Sequence, residues 1–231
     1  MIDEFFRDAF FAGAVISLLA YELGLLLKKR FHLAIFNPIL IAVICIIACL
    51  RLSGTDYDSY NASAKYISYL LTPATVCLAL PLYEQLKLLK DNLAAVVCGI
   101  AAGAVSGMTG VLILSGLFKL EHTEYVTLLP KSVTTAIGMG ISEELGGIVT
   151  ISVAMIIITG ILGNILADLI FSACKIKEPV AKGIALGTCS HAIGTAKAME
   201  LGEAEGAMSS LAIAATGLMT VAAAPLFVLL F

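Results

Sequence analysis

Apolar runs of bilayer length recur along this chain from one end to the other, and they leave the backbone few options. Lipid offers no water to an exposed N–H or C=O, so a spanning segment closes its hydrogen bonds within itself, as a helix does. A helix needs about 20 residues to cross a hydrocarbon core roughly 30 Å thick. The runs leave no room for a soluble domain, and the chain is expected to be one all-α polytopic membrane domain over residues 1–231. Composition agrees: 60% of residues are hydrophobic and 13% charged, against about 25% charged in a soluble domain.

The net charge of −3, with no basic face beyond Lys28-Lys29-Arg30, argues against nucleic acid as a partner. The six cysteines lie mostly in apolar segments without a CxxC pair, so neither a metal site nor a disulfide framework is suggested, and no cofactor is expected. Acidic residues precede the first apolar run and the basic cluster follows it, the reverse of a secretory signal. That run is expected to stay as the first transmembrane helix.

The first segment runs from about Phe10 to Leu27, and the second, Leu33 to Leu50, carries Asn37-Pro38 near its start. Arg51 to Lys65 reads as an exposed polar loop. The third segment, Tyr66 to Tyr83, holds Pro73 and Pro81, two interruptions that predict a broken helix. Glycines at 99, 103, 107 and 110 suit the fourth, Leu93 to Phe118, to close helix packing. The sixth (Ile148 to Phe171), seventh (Val180 to Met199) and eighth (Ala207 to Phe231) complete the chain.

The fifth segment is the unusual one. Leu128 to Gly140, LLPKSVTTAIGMG, places a proline, a lysine and several hydroxyls inside an apolar run. Lys131 at membrane depth costs about 2.5–3.5 kcal/mol on insertion scales unless it faces protein, water or an anion. Pro130 breaks the hydrogen-bond ladder, and freed backbone groups are tolerated only inside protein or along a cavity. Residues 125–147 are therefore expected to form a broken or re-entrant segment. A kinked packing helix with a snorkelling lysine is the plainer alternative. Against it stands a second segment of the same character, TCSHAIGTAKAMEL at Thr188 to Leu201.

Lysine and arginine favour cytoplasmic loops. With the fifth segment re-entrant, Lys28, Lys29, Arg30, Lys87, Lys90, Lys175, Lys177 and Lys182 share the inner face, and Arg7, Arg51, Lys65 and Lys119 the outer one. The architecture expected is about seven transmembrane helices plus the re-entrant segment, with a cytoplasmic C-terminus. Thr72 to Glu84 also overlays Thr188 to Glu200, with Thr and Glu matching at both ends. Segments two to four (33–118) and six to eight (148–231) would then form the inverted repeat of many transporters.

Lys131, Ser132, Thr134 and Thr135 in the fifth segment, with Thr188, Ser190, His191, Thr195 and Lys197 in the seventh, form a donor-rich set suited to a small anion. A lysine, hydroxyls and the positive end of a half-helix would fit a carboxylate. His191 is the candidate for a coupling proton or a plain donor, although a lone helical histidine is more often a packing residue. Lys197, six residues after His191, is expected nearer the external mouth. Adjacent Ser190 and His191 point roughly 100° apart on a helix and cannot easily pair as nucleophile and base, so no enzyme is expected.

Asn37-Pro38, Tyr57-Asp58-Ser59-Tyr60, LLTPATVCLALPLYEQ from Leu70, LPKSVTT from Leu129, and GTCSHAIGTAKAMEL followed by EGAMSSLA resemble the LrgB/CidB family of bacterial membrane proteins. The resemblance covers nearly the whole chain. One departure is Ala136, where many relatives are expected to carry proline. The family is associated with holin- or antiholin-like control of murein hydrolases and lysis, and includes the C-terminal part of the plastidial glycolate/glycerate translocator. The resemblance implies a carrier of small monocarboxylates (glycolate, glycerate, pyruvate or lactate), with or without proton coupling, or alternatively an antiholin-like regulator. It further implies a bacterial inner membrane and a small LrgA/CidA-type membrane partner. By analogy with other inverted-repeat carriers, a homodimer is expected.

Overall fold

Short polar side chains and prolines start many of the helices, and glycines decide where helices touch. The computed structural model describes residues 11–31, 36–77 and 79–231, apart from the side chains of Leu71, Thr72, Thr75 and Leu82. Arg7, and the expected starts of the first two segments at Phe10 and Leu33, lie outside the described residues. Every regular element among those described is helical. Contacts divide the chain into two units, Met1–Cys77 and Leu78–Phe231.

In the first unit, α1 (Ala12–Phe31) packs on α2 (Pro38–Ser53), with Gly24 set so close to Pro38 that an added Cβ would stand 2.7 Å from its Cα. Asn37 starts α2, its Oδ1 accepting from the N–H of Ile39 at 2.9 Å and of Leu40 at 3.2 Å. Gly54, at φ 66°, ends it. The Arg51 to Lys65 stretch, expected as an exposed loop, contains the helix α3 (Tyr57–Ala64). The reason is a polar face turned inward: Ser59 and Ser63 are buried, and Ser63 Oγ accepts from the Gly13 N–H at 2.9 Å. A 3₁₀ turn (Lys65–Leu70) and α4 (Leu71–Cys77) follow, with Pro73 in the first turn of α4.

The second unit begins with α5 (Ala79–Glu84) and α6 (Leu86–Asp91). Pro81 lies in the first turn of α5, where a missing N–H costs nothing. The expected third segment is thus a series of short helices and not one span. Then come α7 (Leu93–Phe118), α8 (His122–Leu128), α9 (Thr135–Glu144), α10 (Val149–Ala173), α11 (Pro179–Leu201) and α12 (Glu203–Val228). By length and composition, α7, α10 and α12 can each cross a membrane.

Helices α8 and α9 fold back on each other. Gly138 faces the Pro130 carbonyl near the turn, while at the open end the Ile148 N–H donates to Thr127 Oγ1 at 2.8 Å. Ser152 Oγ donates to the Thr127 carbonyl at 2.7 Å and lies 2.7 Å from Ser142 Oγ, joining both arms to the start of α10. The turn at residues 129–134 reaches the middle of α7, where Gly107 faces Ser132.

Helix α11 does the same from the other end. At His191 the backbone takes φ 42° and ψ −136°, and the chain reverses: Gly194 comes back against the Leu186 carbonyl. Its first arm runs against α10, with Leu186 packed near Phe171 and Ser190 against Gly163. The second arm returns, Asn164 Nδ2 donating to the Ile193 carbonyl at 3.1 Å and Lys197 pairing with Asp168 at 2.7 Å. Ile176, just before α11, and Leu201, its last residue, both pack against the cluster of Ala167 and Phe171, so both ends of α11 lie towards the C-terminal end of α10.

Two expectations change with this. Segment seven does not cross, so Lys197 sits beside Asp168 towards the Lys175 end and not towards the opposite mouth. Helix α12 therefore starts from that end and runs parallel to α7: Val96 and Ile100 meet Ala207 to Ala212, while Met108 and Val111 share a cluster with Ala224. Segments four and eight were expected to run in opposite directions. The C-terminus consequently lies with α8, where Tyr125 OH donates to the Phe227 carbonyl at 3.0 Å and stacks on Phe231 at 4.3 Å between ring centroids.

The first arm of α11 approaches α12 through Gly187, where an added Cβ would meet the Ser209 carbonyl oxygen at 2.5 Å. Gly187→Ala is expected to destabilise the protein by about 1–3 kcal/mol, because backbone cannot move aside. Gly110→Ala, in open space, should be neutral or stabilising by up to about 1 kcal/mol. Thermal unfolding of the two variants in one detergent checks this; equal midpoints would count against the reversed α11.

Candidate functional site

The two turns approach one face of α7, one helical turn apart: Gly103 lies under Thr188 and Gly107 under Ser132. Spacing by four puts Gly99, Gly103 and Gly107 on that face, so both turns come close to the backbone. A groove of about 620 Å³ runs there between α7, the first arm of α11 and the α8–α9 turn. That volume suits a small ligand. Asn92 and Glu178 stand at its mouth, Ala181, Ile184 and Ala185 form an apolar wall, and Lys131 and Ser132 lie at its far end.

Lys131 Nζ donates to Ser132 Oγ at 3.1 Å. Lys131 and Glu178 are the charged groups among the groove's lining residues, and α7 separates them by more than half its length, from Asn92 to Gly107. Thr188 Oγ1 donates to the Ile184 carbonyl at 2.8 Å, leaving its oxygen lone pairs to accept. The turns carry a second electrostatic element. Helix α9 and the second arm of α11 both begin at a turn, so their positive dipole ends point towards the middle of the unit.

Of the expected site residues, the structure brings Lys131, Ser132 and Thr188 together in the groove. Thr134 and Thr135 start α9, the Thr134 carbonyl accepting from the Gly138 N–H at 2.8 Å. Ser190, His191 and Thr195 hold the reversal of α11. Ser190 is buried against Gly163, and His191 Nε2 lies 2.9 Å from the Ile156 carbonyl, which can only accept, so Nε2 carries the proton. Thr195 Oγ1 donates to the His191 carbonyl at 3.1 Å and meets Ser209 Oγ at 2.7 Å. Sequence reasoning missed Cys189 and Ser106, both of which line the groove. Ser106 lies seven residues after Gly99, a spacing that marks the glycine face; Cys189 gave no signal beyond its polar neighbours.

Fold and groove together define a helical membrane protein with one cationic side chain, Lys131, in an apolar-walled groove. Residues 17–230 match the LrgB-like family, and the chain belongs to it. It is 36% identical over 216 residues to proteins named antiholin-like protein LrgB from Bacillus mycoides, Bacillus cereus and Bacillus anthracis. Each match covers 93% of this chain and 94% of the relative. No solved structure matches the chain.

The division between groove and support can be tested with two variants. His191→Phe keeps the bulk and loses the donor, so its unfolding midpoint in detergent should fall by the equivalent of about 1 kcal/mol. Cys189→Ser should leave that midpoint in place. Maleimide labelling of Cys189 in the folded protein should be slowed by a short carboxylate that occupies the groove.

Proposed function

We propose that this chain is an antiholin-like membrane protein, and that its molecular act is to pass a small monocarboxylate through the Lys131 groove. The name of its relatives favours the antiholin-like part over the carrier part. The carrier part rests on one observation: Lys131 lies at the end of a groove where two folded-back helices approach from opposite ends of the unit.

The chemistry follows from charge and size. One ammonium balances one carboxylate, so a monoanion suits the site better than a dianion, whose second charge would lie against Gly99, Ile184 and Ala185. A 2-hydroxyl can donate to the lone pairs that Thr188 keeps, and a 2-oxo oxygen can accept from a Lys131 N–H not used by Ser132, which supports the glycolate, glycerate, pyruvate and lactate class. Binding neutralises a cation that is costly at membrane depth. His191, committed to the Ile156 carbonyl, supports a structural role over both proton carriage and a nucleophile's base, and we read no enzyme here.

We read residues 93–148 and 149–202, each a long helix followed by a folded-back pair, as the inverted units about this site, in place of 33–118 and 148–231. Their opposed directions support an alternating movement with the groove open first at one face and then at the other. A bacterial inner membrane, an LrgA/CidA-type partner and a homodimer complete the proposal.

Purified protein in liposomes should show saturable counterflow of labelled glycolate or pyruvate. Lys131→Ala should abolish it while the protein stays folded, and Lys131→Arg should restore it in part, since a planar fork replaces a point charge. Dye leakage independent of solute size would sink the carrier part. Wild-type counterflow in Lys131→Ala would remove the site.

A further inference from the structure

Behind the far end of the groove lies a second cavity, of about 10 Å³, between α7, α12 and the α8–α9 turn. It shares Ser132 and Gly107 with the groove, and Thr216 and Thr220 line its opposite side. These threonines are one helical turn apart on α12 and only 2% and 3% exposed. Buried hydroxyls on these helices commonly donate to the carbonyl one turn back, as Thr188 does to Ile184, Thr195 to His191 and Ser210 to Gly206. Thr216 does not: its Oγ1 is buried and has no hydrogen-bond partner among the described residues. A hydroxyl left in that condition costs about 1–3 kcal/mol.

We propose that this cavity is a binding site for one water molecule, held by Thr216 and Ser132, which makes Thr216 a positioning residue for the anion site. The volume is about that of one water by the small-probe measure. Ser132 supplies the direction. Its oxygen accepts from Lys131 Nζ, so its hydroxyl proton points elsewhere and needs an acceptor. A water oxygen provides one and returns a proton to Thr216. A sodium ion of similar size cannot accept that proton, and the Lys131 ammonium beside Ser132 repels it. The water fixes the rotamer of Ser132, and Ser132 in turn fixes the head of Lys131.

The functional half of this inference rests on the carrier reading, and the test separates them. Wild-type protein is titrated with pyruvate and glycolate; no binding of either defeats the carrier reading. If binding occurs, Thr216→Val, nearly the same shape without the hydroxyl, should raise Kd about tenfold, the value of one hydrogen bond. Thr216→Ser should restore it, and in a Ser132→Ala background Thr216→Val should cause no further loss. Unchanged affinity in Thr216→Val, or full additivity with Ser132→Ala, overturns the positioning role while leaving the carrier reading intact. The site itself is read from a high-resolution map of the wild-type protein. A peak about 2.7–3.1 Å from Thr216 Oγ1 and Ser132 Oγ, unchanged when choline replaces sodium, is the expected result. A peak lost in choline, or none, overturns it.

Discussion

A broken helix in lipid frees N–H and C=O groups that must find partners inside the protein, and most polar side chains around the two turns meet that demand. At the α11 reversal, His191 Nε2 donates to the Ile156 carbonyl, Asn164 donates to the Ile193 carbonyl, and Thr195 donates to the carbonyl of His191 itself. At the α8–α9 pair, Thr127 accepts from the Ile148 N–H and Ser152 donates to the Thr127 carbonyl. A polar residue in a membrane segment is therefore not evidence of a ligand until its backbone duties are known. Lys131 is different. Its hydrogen bond goes to the hydroxyl of its neighbour Ser132, and it lies along the groove.

Close approach supplies what the hydrophobic effect cannot. Lipid tails are as apolar as leucine, so helices in a bilayer associate through van der Waals contact and hydrogen bonds, both of which reward small residues. Gly103 receives Thr188, and Gly187 receives Ser209 and Ala212. Ser209, brought near by that contact, is then within 2.7 Å of Thr195 on the second arm of α11. Packing and polar pairing thus depend on each other: a side chain at Gly187 would displace the hydroxyl that ties the reversal to α12.

These relations explain what was legible in the sequence. The α8–α9 break announces itself through Pro130 and Lys131, a residue that cannot continue the ladder beside one that resists lipid. The α11 reversal has no proline, and it turns at His191, a non-glycine residue at positive φ stabilised by its own side chain. Helical periodicity runs unbroken through such a point. Lys131, Ser132 and Thr188, which the structure gathers along one groove, stand out in the sequence because they are anomalous in an apolar run; Ser190, His191 and Thr195 are equally anomalous, and their bonds and packing hold the reversal. The charge rule says little about the C-terminus, since no lysine or arginine follows Lys197, and the direction of α12 shows only in its contacts with α7. The exposed-loop reading of Arg51 to Lys65 failed for a different reason: Ser59 and Ser63 are buried, and Ser63 accepts from the Gly13 N–H of α1.

The antiholin-like and carrier readings need the same physical property, a barrier that does not become an open hole. The groove runs from Asn92 and Glu178 to Lys131, Ser132 and Gly107. Beyond that end, Met108, Val111, Tyr125, Val126, Leu129, Ile141 and Ala224 form a packed apolar cluster. The last third of α7 and both arms of the α8–α9 pair contribute to it, so any ligand passing Lys131 requires these elements to separate. Tyr125, fully buried and bonded to the Phe227 carbonyl, joins the C-terminal end of α12 to that barrier. Separation of one arm would therefore have to carry α12 with it or break that bond. A hole through rigid helices would need neither, whereas a gate made of folded-back helices opens only by moving them as packed bodies.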